Sequence, residues 1–234
     1  MEILVAVDVS HGALARATSS GLERVDTFGG DPVAAATEAI GAGVRWIHVV
    51  DLDRAMTGVG RNLATVRAVA ALGCHVQASG GIVSAEAIDD VLAAGAERAV
   101  IGSAALEDLR GAGELIARFG ERVAVGIEAR GDRIRARGAR QTDLALGDTL
   151  DALVVAGAER FVVTAVPRVG SLSGPNVDQV RRVVAGGRPV IAAGGIASLH
   201  DLRLVDEAGA EGAIVGRAAL EGSLDVGAAV AAFA

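Results

Sequence analysis

The chain has 234 residues, 51% of them hydrophobic, and a formal net charge of −7. That length suits one α/β barrel, with residues 1–234 as a single domain, and the apolar content excludes a disordered polyelectrolyte. The negative charge argues against a nucleic-acid or anionic-membrane partner, and the single cysteine, Cys74, excludes an intrachain disulfide and a cysteine-based zinc site. No apolar run approaches the ~20 residues that cross a bilayer, and the N-terminus lacks the basic-then-apolar order of a signal peptide. A cytoplasmic protein, monomeric or homo-oligomeric, is the expectation. All 22 Lys+Arg residues are arginines, which excludes mechanisms that anchor an intermediate on a lysine amine.

In chain order, apolar runs fall at residues 3–7, 46–50, 75–78, 99–101, 123–127, 160–163, 189–192 and 212–215. They are continuous rather than alternating, the pattern of parallel strands buried on both faces. Ala-rich segments between them, such as 32–42, 84–94 and 201–208, predict helices. Asp31 before Pro32 reads as an N-cap with proline at the first helical position, and Ala-Gly-Ala endings supply glycine for left-handed C-caps. The polar, Gly-containing stretch 19–30 reads as a lid loop. Eight strand–helix alternations predict a closed (β/α)₈ barrel.

The sequence also repeats itself. Ser79-Gly80-Gly81-Ile82 recurs as Ala193-Gly194-Gly195-Ile196, and the stretch around Gly102 recurs around Gly216, both at an offset of 114 residues. Two matches in one register predict a barrel made of two similar halves.

Each repeated motif falls where a strand gives way to a helix, on the face that carries barrel active sites. Glycines there let backbone N–H groups approach an anion, and a helix N-terminus adds partial positive charge. Gly80 and Gly81 with Gly102 and Ser103 are expected to form one phosphate cradle. Gly194 and Gly195 with Gly216 and Arg217 are expected to form the other. Two cradles imply a ligand with an anion at each end. Between them, Asp8 at the end of the first strand and Glu128 at the end of the fifth are candidates to divide acid and base work. Thr164 ends the sixth strand as a hydroxyl donor, while Asp51 and Arg16 are candidates to orient the substrate.

Of the histidines, His48 and His75 read as structural and His200 as solvated; His11, in the first loop of the active face, is a candidate for a role. No two have metal-ligand spacing, so no metal is expected. Arg133, Arg135, Arg137 and Arg140 form a basic run, with Arg137 the candidate substrate clamp.

Five segments carry a resemblance that spans nearly the whole chain. They are Ala6-Val7-Asp8, the Ile-His-Val-Val-Asp-Leu-Asp stretch at 47–53, Ser79-Gly80-Gly81-Ile82, Ser171-Leu172-Ser173-Gly174-Pro175-Asn176, and Ile214-Val215-Gly216-Arg217-Ala218. On these the chain resembles the histidine-biosynthesis sugar isomerase that acts on phosphoribosylformimino-aminoimidazole-carboxamide ribotide. Its sister is the imidazole-glycerol-phosphate synthase cyclase; Arg16, where the cyclase is expected to carry lysine, favours the isomerase. The resemblance implies a (β/α)₈ barrel, an Amadori rearrangement of a bisphosphorylated aminoaldose ribotide to the aminoketose, and no cofactor. It implies Asp8 as the base and Thr164 as the hydrogen-bonding threonine.

Three positions depart from the family pattern. Glu128 stands where aspartate is usual, and the extra methylene moves the carboxylate by about 1.5 Å. Val169 stands in place of an aspartate that would act as an acid, and Ala139 in place of a stacking tryptophan. Two alternatives follow: a paralogue with altered substrate, such as phosphoribosylanthranilate, and a phosphosugar-binding barrel without catalysis.

Overall fold

The structure, a computed structural model, describes residues 1–18, 21–134, 144–165 and 168–234. Strand β1 (Glu2–Ser10) runs into an antiparallel hairpin, β2 (Ala13–Thr18) and β3 (Gly21–Arg24), before helix α1 (Pro32–Gly41). Next come β4 (Trp46–Asp51), α2 (Leu52–Thr57), α3 (Leu63–Ala70), β5 (His75–Ile82), α4 (Ala85–Ala93), β6 (Arg98–Ile101) and α5 (Leu109–Phe119). The second half follows the same plan. Strand β7 (Val123–Arg130) runs into short antiparallel strands β8 (Arg133–Ile134) and β9 (Leu144–Ala145) ahead of α6 (Leu146–Val155). Then β10 (Phe161–Thr164), α7 (Val177–Val184), β11 (Val190–Ala193), α8 (Leu199–Glu207), β12 (Gly212–Val215), α9 (Arg217–Leu220) and α10 (Val226–Ala232) complete the order.

Eight strands close the barrel in the order β1-β4-β5-β6-β7-β10-β11-β12, with β12 back on β1 and every neighbour parallel. These are the eight apolar runs of the sequence, so the (β/α)₈ reading holds. The first loop differs from expectation. Part of the predicted lid is strand β3, because β2 pairs back on Val9 and Ser10 and offers an edge that Gly21–Arg24 completes; Ser19 and Ser20 lie outside the described residues.

The 114-residue offset runs through the fold as well. Ser84 and Ser198 cap α4 and α8, accepting from the N–H of Ala87 and Asp201. The Ala96 N–H donates to Val91 as Ala210 does to Val205, at 3.0 and 3.1 Å. Such side-chain caps are each worth about 1 kcal/mol. Asp31 caps α1 ahead of Pro32 as expected.

The apolar side chains form two separate sets. The larger fills the ring between strands and helices, with Val7, Ile47 and Ile101 packed among helix residues such as Val69, Ile88 and Leu202. The smaller lies in the lumen: Leu4, Ala6, Val100, Ala124, Val162, Ile191 and Ile214. Side chains alternate along a strand, so His48, Gln77 and Arg98, in register with Ala6 and one another, face the lumen too. All three are buried. They occupy the space that the small residues leave.

Burial, and secondarily the Arg98 charge, lowers the His48 pKa from 6.5 to about 3. Between those values the unfolded chain binds a proton that the folded chain refuses. This contribution is complete above pH 6.5 and is lost as pH falls toward 3. At pH 5 it amounts to a loss of about 2 kcal/mol relative to neutrality. Urea unfolding of wild type and His48→Gln at pH 7 and pH 5 should show the variant losing about that much less on acidification. Parallel pH dependences would refute the assignment.

Candidate active site

Parallel strands end on one face, and their C-terminal ends gather the predicted residues. Asp8 follows Leu4 and Ala6 on the lumen side of β1; Glu128 follows Ala124 on β7; Thr164 follows Val162 on β10. Thr164 pairs in register with Glu128. In strand order β1 and β7 are half a barrel apart. Neither Asp8 nor Glu128 is the last residue of its strand, since β1 continues to Ser10 and β7 to Arg130 to form the antiparallel excursions. Both are half-buried, as is Thr164.

The glycine pairs lie at the ends of β5 and β11, each beside the loop that follows the next strand, where Gly102-Ser103 and Gly216-Arg217 stand. The two groups are also half a barrel apart. Their glycines have a reason that needs no ligand. A Cβ on Gly80 would sit 2.2 Å from the Asp51 carbonyl oxygen, and one on Gly195 would sit 2.2 Å from that of Gly174. Both residues have positive φ, +98° and +84°. Gly102 differs: its φ is −72°, and a Cβ would meet nothing within 4 Å among the described residues. Ser103 is buried at the start of a short 3₁₀ turn.

The charged candidates are already engaged. Asp51 is buried, and its two oxygens accept from the N–H groups of Arg54, Arg61 and Asn62 and from the Asn62 amide. The carboxylate expected to orient a substrate caps α2 and holds the following loop. Arg16 lies on β2 rather than in an irregular loop, and pairs with Glu221 at 3.1 Å and Glu23 at 3.4 Å. Arg217 pairs with the same Glu221 at 2.9 Å and donates to the Gly170 carbonyl. Glu221, which sequence reasoning missed, therefore joins the two predicted cations, reaching Arg16 across 205 residues of sequence. Only its place four residues after Arg217 on a helical segment hinted at that pairing. Arg137, with Arg135, Arg140 and Ala139, lies outside the described residues.

A second network was also missed. Asp53 is buried and accepts from the His11 N–H at 2.7 Å, the Ser10 hydroxyl at 2.9 Å and the Asn62 amide at 2.9 Å. Burial pushes its pKa up, but these bonds and the nearby His11 outweigh it and hold the carboxyl below the usual range. His11 itself has φ +50° and an exposed ring 3.1 Å from Asp53, so it fixes the start of the β2–β3 hairpin. Arg168 does similar work after β10, donating to the carbonyls of Ser173, Gly174 and Pro175. Next to it, Val169 is exposed, and its Cγ2 lies 3.4 Å from where a Gly194 Cβ would be. His75 stacks on Trp46 and pairs with Glu97, remote from the mouth. Among the described residues no group of three or more His, Cys, Asp or Glu could hold a metal, and no helix is long and apolar enough to cross a membrane.

The family described as histidine biosynthesis protein matches residues 2–225. A curated relative from Thermobifida fusca, named 1-(5-phosphoribosyl)-5-((5-phosphoribosylamino)methylideneamino)imidazole-4-carboxamide isomerase, is 42% identical over 99% of this chain and 96% of its own. A relative of the same name from Roseiflexus castenholzii is 37% identical over the full length of both. Phosphoribosyl isomerase A of Streptomyces coelicolor is 41% identical over 93% of this chain and 92% of its own.

The glycine geometry separates two kinds of position. Gly80→Ala forces a Cβ into a carbonyl at positive φ and should cost about 3 kcal/mol or more, whereas Gly102→Ala should stay within about 0.5 kcal/mol of wild type. Urea unfolding of both variants checks this. Equal stabilities would show that the Gly80–Asp51 approach is not needed.

Proposed function

The chain belongs to the histidine biosynthesis protein family, and on that premise we propose that it is an aldose–ketose isomerase. Its substrate is the bisphosphorylated ribotide for which the T. fusca and R. castenholzii relatives are named. The observation that carries the reading is the pair of glycine-bearing loop groups half a barrel apart on one face, with Asp8 and Glu128 on strands equally far apart between them. Gly80, Gly81, Gly102 and Ser103 bind one phosphate; Gly194, Gly195, Gly216 and Arg217 bind the other. Gly102 supports this most directly, because among the described residues no packing contact requires a glycine there.

The chemistry is an Amadori rearrangement. A proton delivered to the ribose ring oxygen opens the ring as the C1–O bond breaks, and the substrate's own nitrogen forms the C1=N bond. A base then removes the C2 proton to give the enolamine. Reprotonation at C1 and collapse of the enol at C2 give the aminoketose, so no redox step occurs. Asp8 is the base, Glu128 the acid, and Thr164 beside it a hydrogen-bond donor to the sugar. Arg16 and Arg137 contact the substrate, while Asp51 acts indirectly as the cap that holds its loop. We read residues 1–234 as one domain working in the cytoplasm, as a monomer or homo-oligomer, without a cofactor.

Val169 favours a second reading. An exposed apolar side chain beside Gly194 can neither give nor take a proton, so the ligand would be held without conversion, or a related phosphosugar such as phosphoribosylanthranilate would be the substrate.

An assay of purified protein on the bisphosphate ribotide decides between them. The isomerase reading expects turnover, with loss on the order of a thousandfold in Asp8→Asn. Binding with no conversion at any enzyme concentration would leave the holding reading, and faster turnover of phosphoribosylanthranilate the altered-substrate one.

A further inference from the structure

Four polar side chains form a line through the barrel lumen, and the direction of every proton along it is fixed from one end. Arg98 Nε donates to Gln77 Oε1 at 2.6 Å. A guanidinium has no acceptor, so the oxygen of the Gln77 amide must face it and the Nε2 group must face the other way. That nitrogen lies 2.8 Å from His48 Nδ1. An amide NH₂ only donates, so Nδ1 accepts and carries no proton. His48 is buried and neutral, which leaves its one ring proton on Nε2. Nε2 lies 3.1 Å from Ser79 Oγ and donates to it. The Ser79 hydroxyl proton must then point elsewhere, and among the described residues no second partner accepts it.

Ser79 is half-buried near the end of β5. It pairs in register with Val50, which pairs with Asp8, so Ser79 and the proposed base share one tier of the barrel. The second half has no such line. At the 114-residue offset, His48, Gln77, Ser79 and Arg98 correspond to Val162, Ile191, Ala193 and Gly212. The lumen thus breaks the symmetry that the loops keep.

We infer that Arg98 and Gln77 are positioning residues that lock the His48 tautomer and thereby make Ser79 an obligatory hydrogen-bond donor to the substrate. The mouth at β5 accordingly selects an unprotonated oxygen or nitrogen on the ligand, while the equivalent place at β11 makes no such demand. This rests on the isomerase reading for the identity of the ligand, but not for the relay itself.

Two measurements test it. Nitrogen-15 NMR of the histidine rings should show His48 in the neutral Nε2–H form; the Nδ1–H form or a doubly protonated ring would overturn the relay. In Arg98→Met the amide is free to turn over, so the Nδ1–H form should appear beside the other; an unchanged single tautomer would remove Arg98 from the relay. The second measurement is a double-mutant cycle with the bisphosphate ribotide. Ser79→Ala and Gln77→Leu should each weaken binding by about tenfold, read by calorimetry, and the double variant should bind no worse than Ser79→Ala alone. Additive losses would mean that Gln77 acts on binding independently of Ser79 and would overturn the relay. A wild type that binds the ribotide without turning it over refutes the isomerase reading and leaves both measurements of the relay intact.

Discussion

At two places around the mouth, one stretch of backbone runs so close to the next strand end that no side chain fits between them. The Asp51 carbonyl occupies the space of a Gly80 Cβ, and the Gly174 carbonyl that of a Gly195 Cβ. Much of the active face depends on this contact. It seats the loop after β4 on β5 and the loop after β10 on β11. With Asp51 pinned at its backbone, its carboxylate can hold Arg54, Arg61 and Asn62. The Asn62 side chain in turn reaches Asp53 and the Gly12 N–H, which fixes the start of the hairpin after β1. Three successive strand ends are thus tied together by short polar bonds that begin at a missing Cβ.

The barrel was legible in the sequence because strands covered on both faces leave continuous apolar runs, and residues 46–50 or 212–215 have no other simple reading. The duplication was legible for a different reason: matching backbone contacts demand matching glycines at a fixed spacing. The same glycines show where sequence reasoning runs out. A glycine pressed against a carbonyl and a glycine facing open space both lack a Cβ, so Gly80 and Gly102 look alike until the distances are known. Charged residues posed a related problem. Asp51 does end its strand, but whether a carboxylate faces a ligand or four N–H donors depends on residues such as Asn62 that carry no motif. The partner of Arg16, Glu221, lies at the other end of the chain.

The β2–β3 hairpin was hidden because its strands are short, half-exposed and without a run of branched residues, so nothing in 19–30 outweighs the appearance of a polar loop. Its pairing depends on the β1 edge beyond the barrel, which is a tertiary fact. The equivalent excursion after β7 starts the same way with β8 and β9. Each half therefore begins with a strand that overruns the barrel and pairs with an antiparallel strand beyond it.

Although the net charge is −7, arginines gather at the mouth around one carboxylate. Arg16 and Arg217 share one carboxylate, Glu221, and all three side chains are roughly a third exposed. Ion pairs at that exposure contribute little, since water and salt screen them. Under the proposed function, a phosphate at Gly216 would compete with that one carboxylate for the guanidinium fork. Glu221 in the meantime keeps the two arginines near the rim and neutralises part of their charge. Under the proposed function, Glu221 would set which anion the two arginines accept, just as the proposed relay carries the influence of Arg98, at the far end of the barrel, to Ser79 at the mouth.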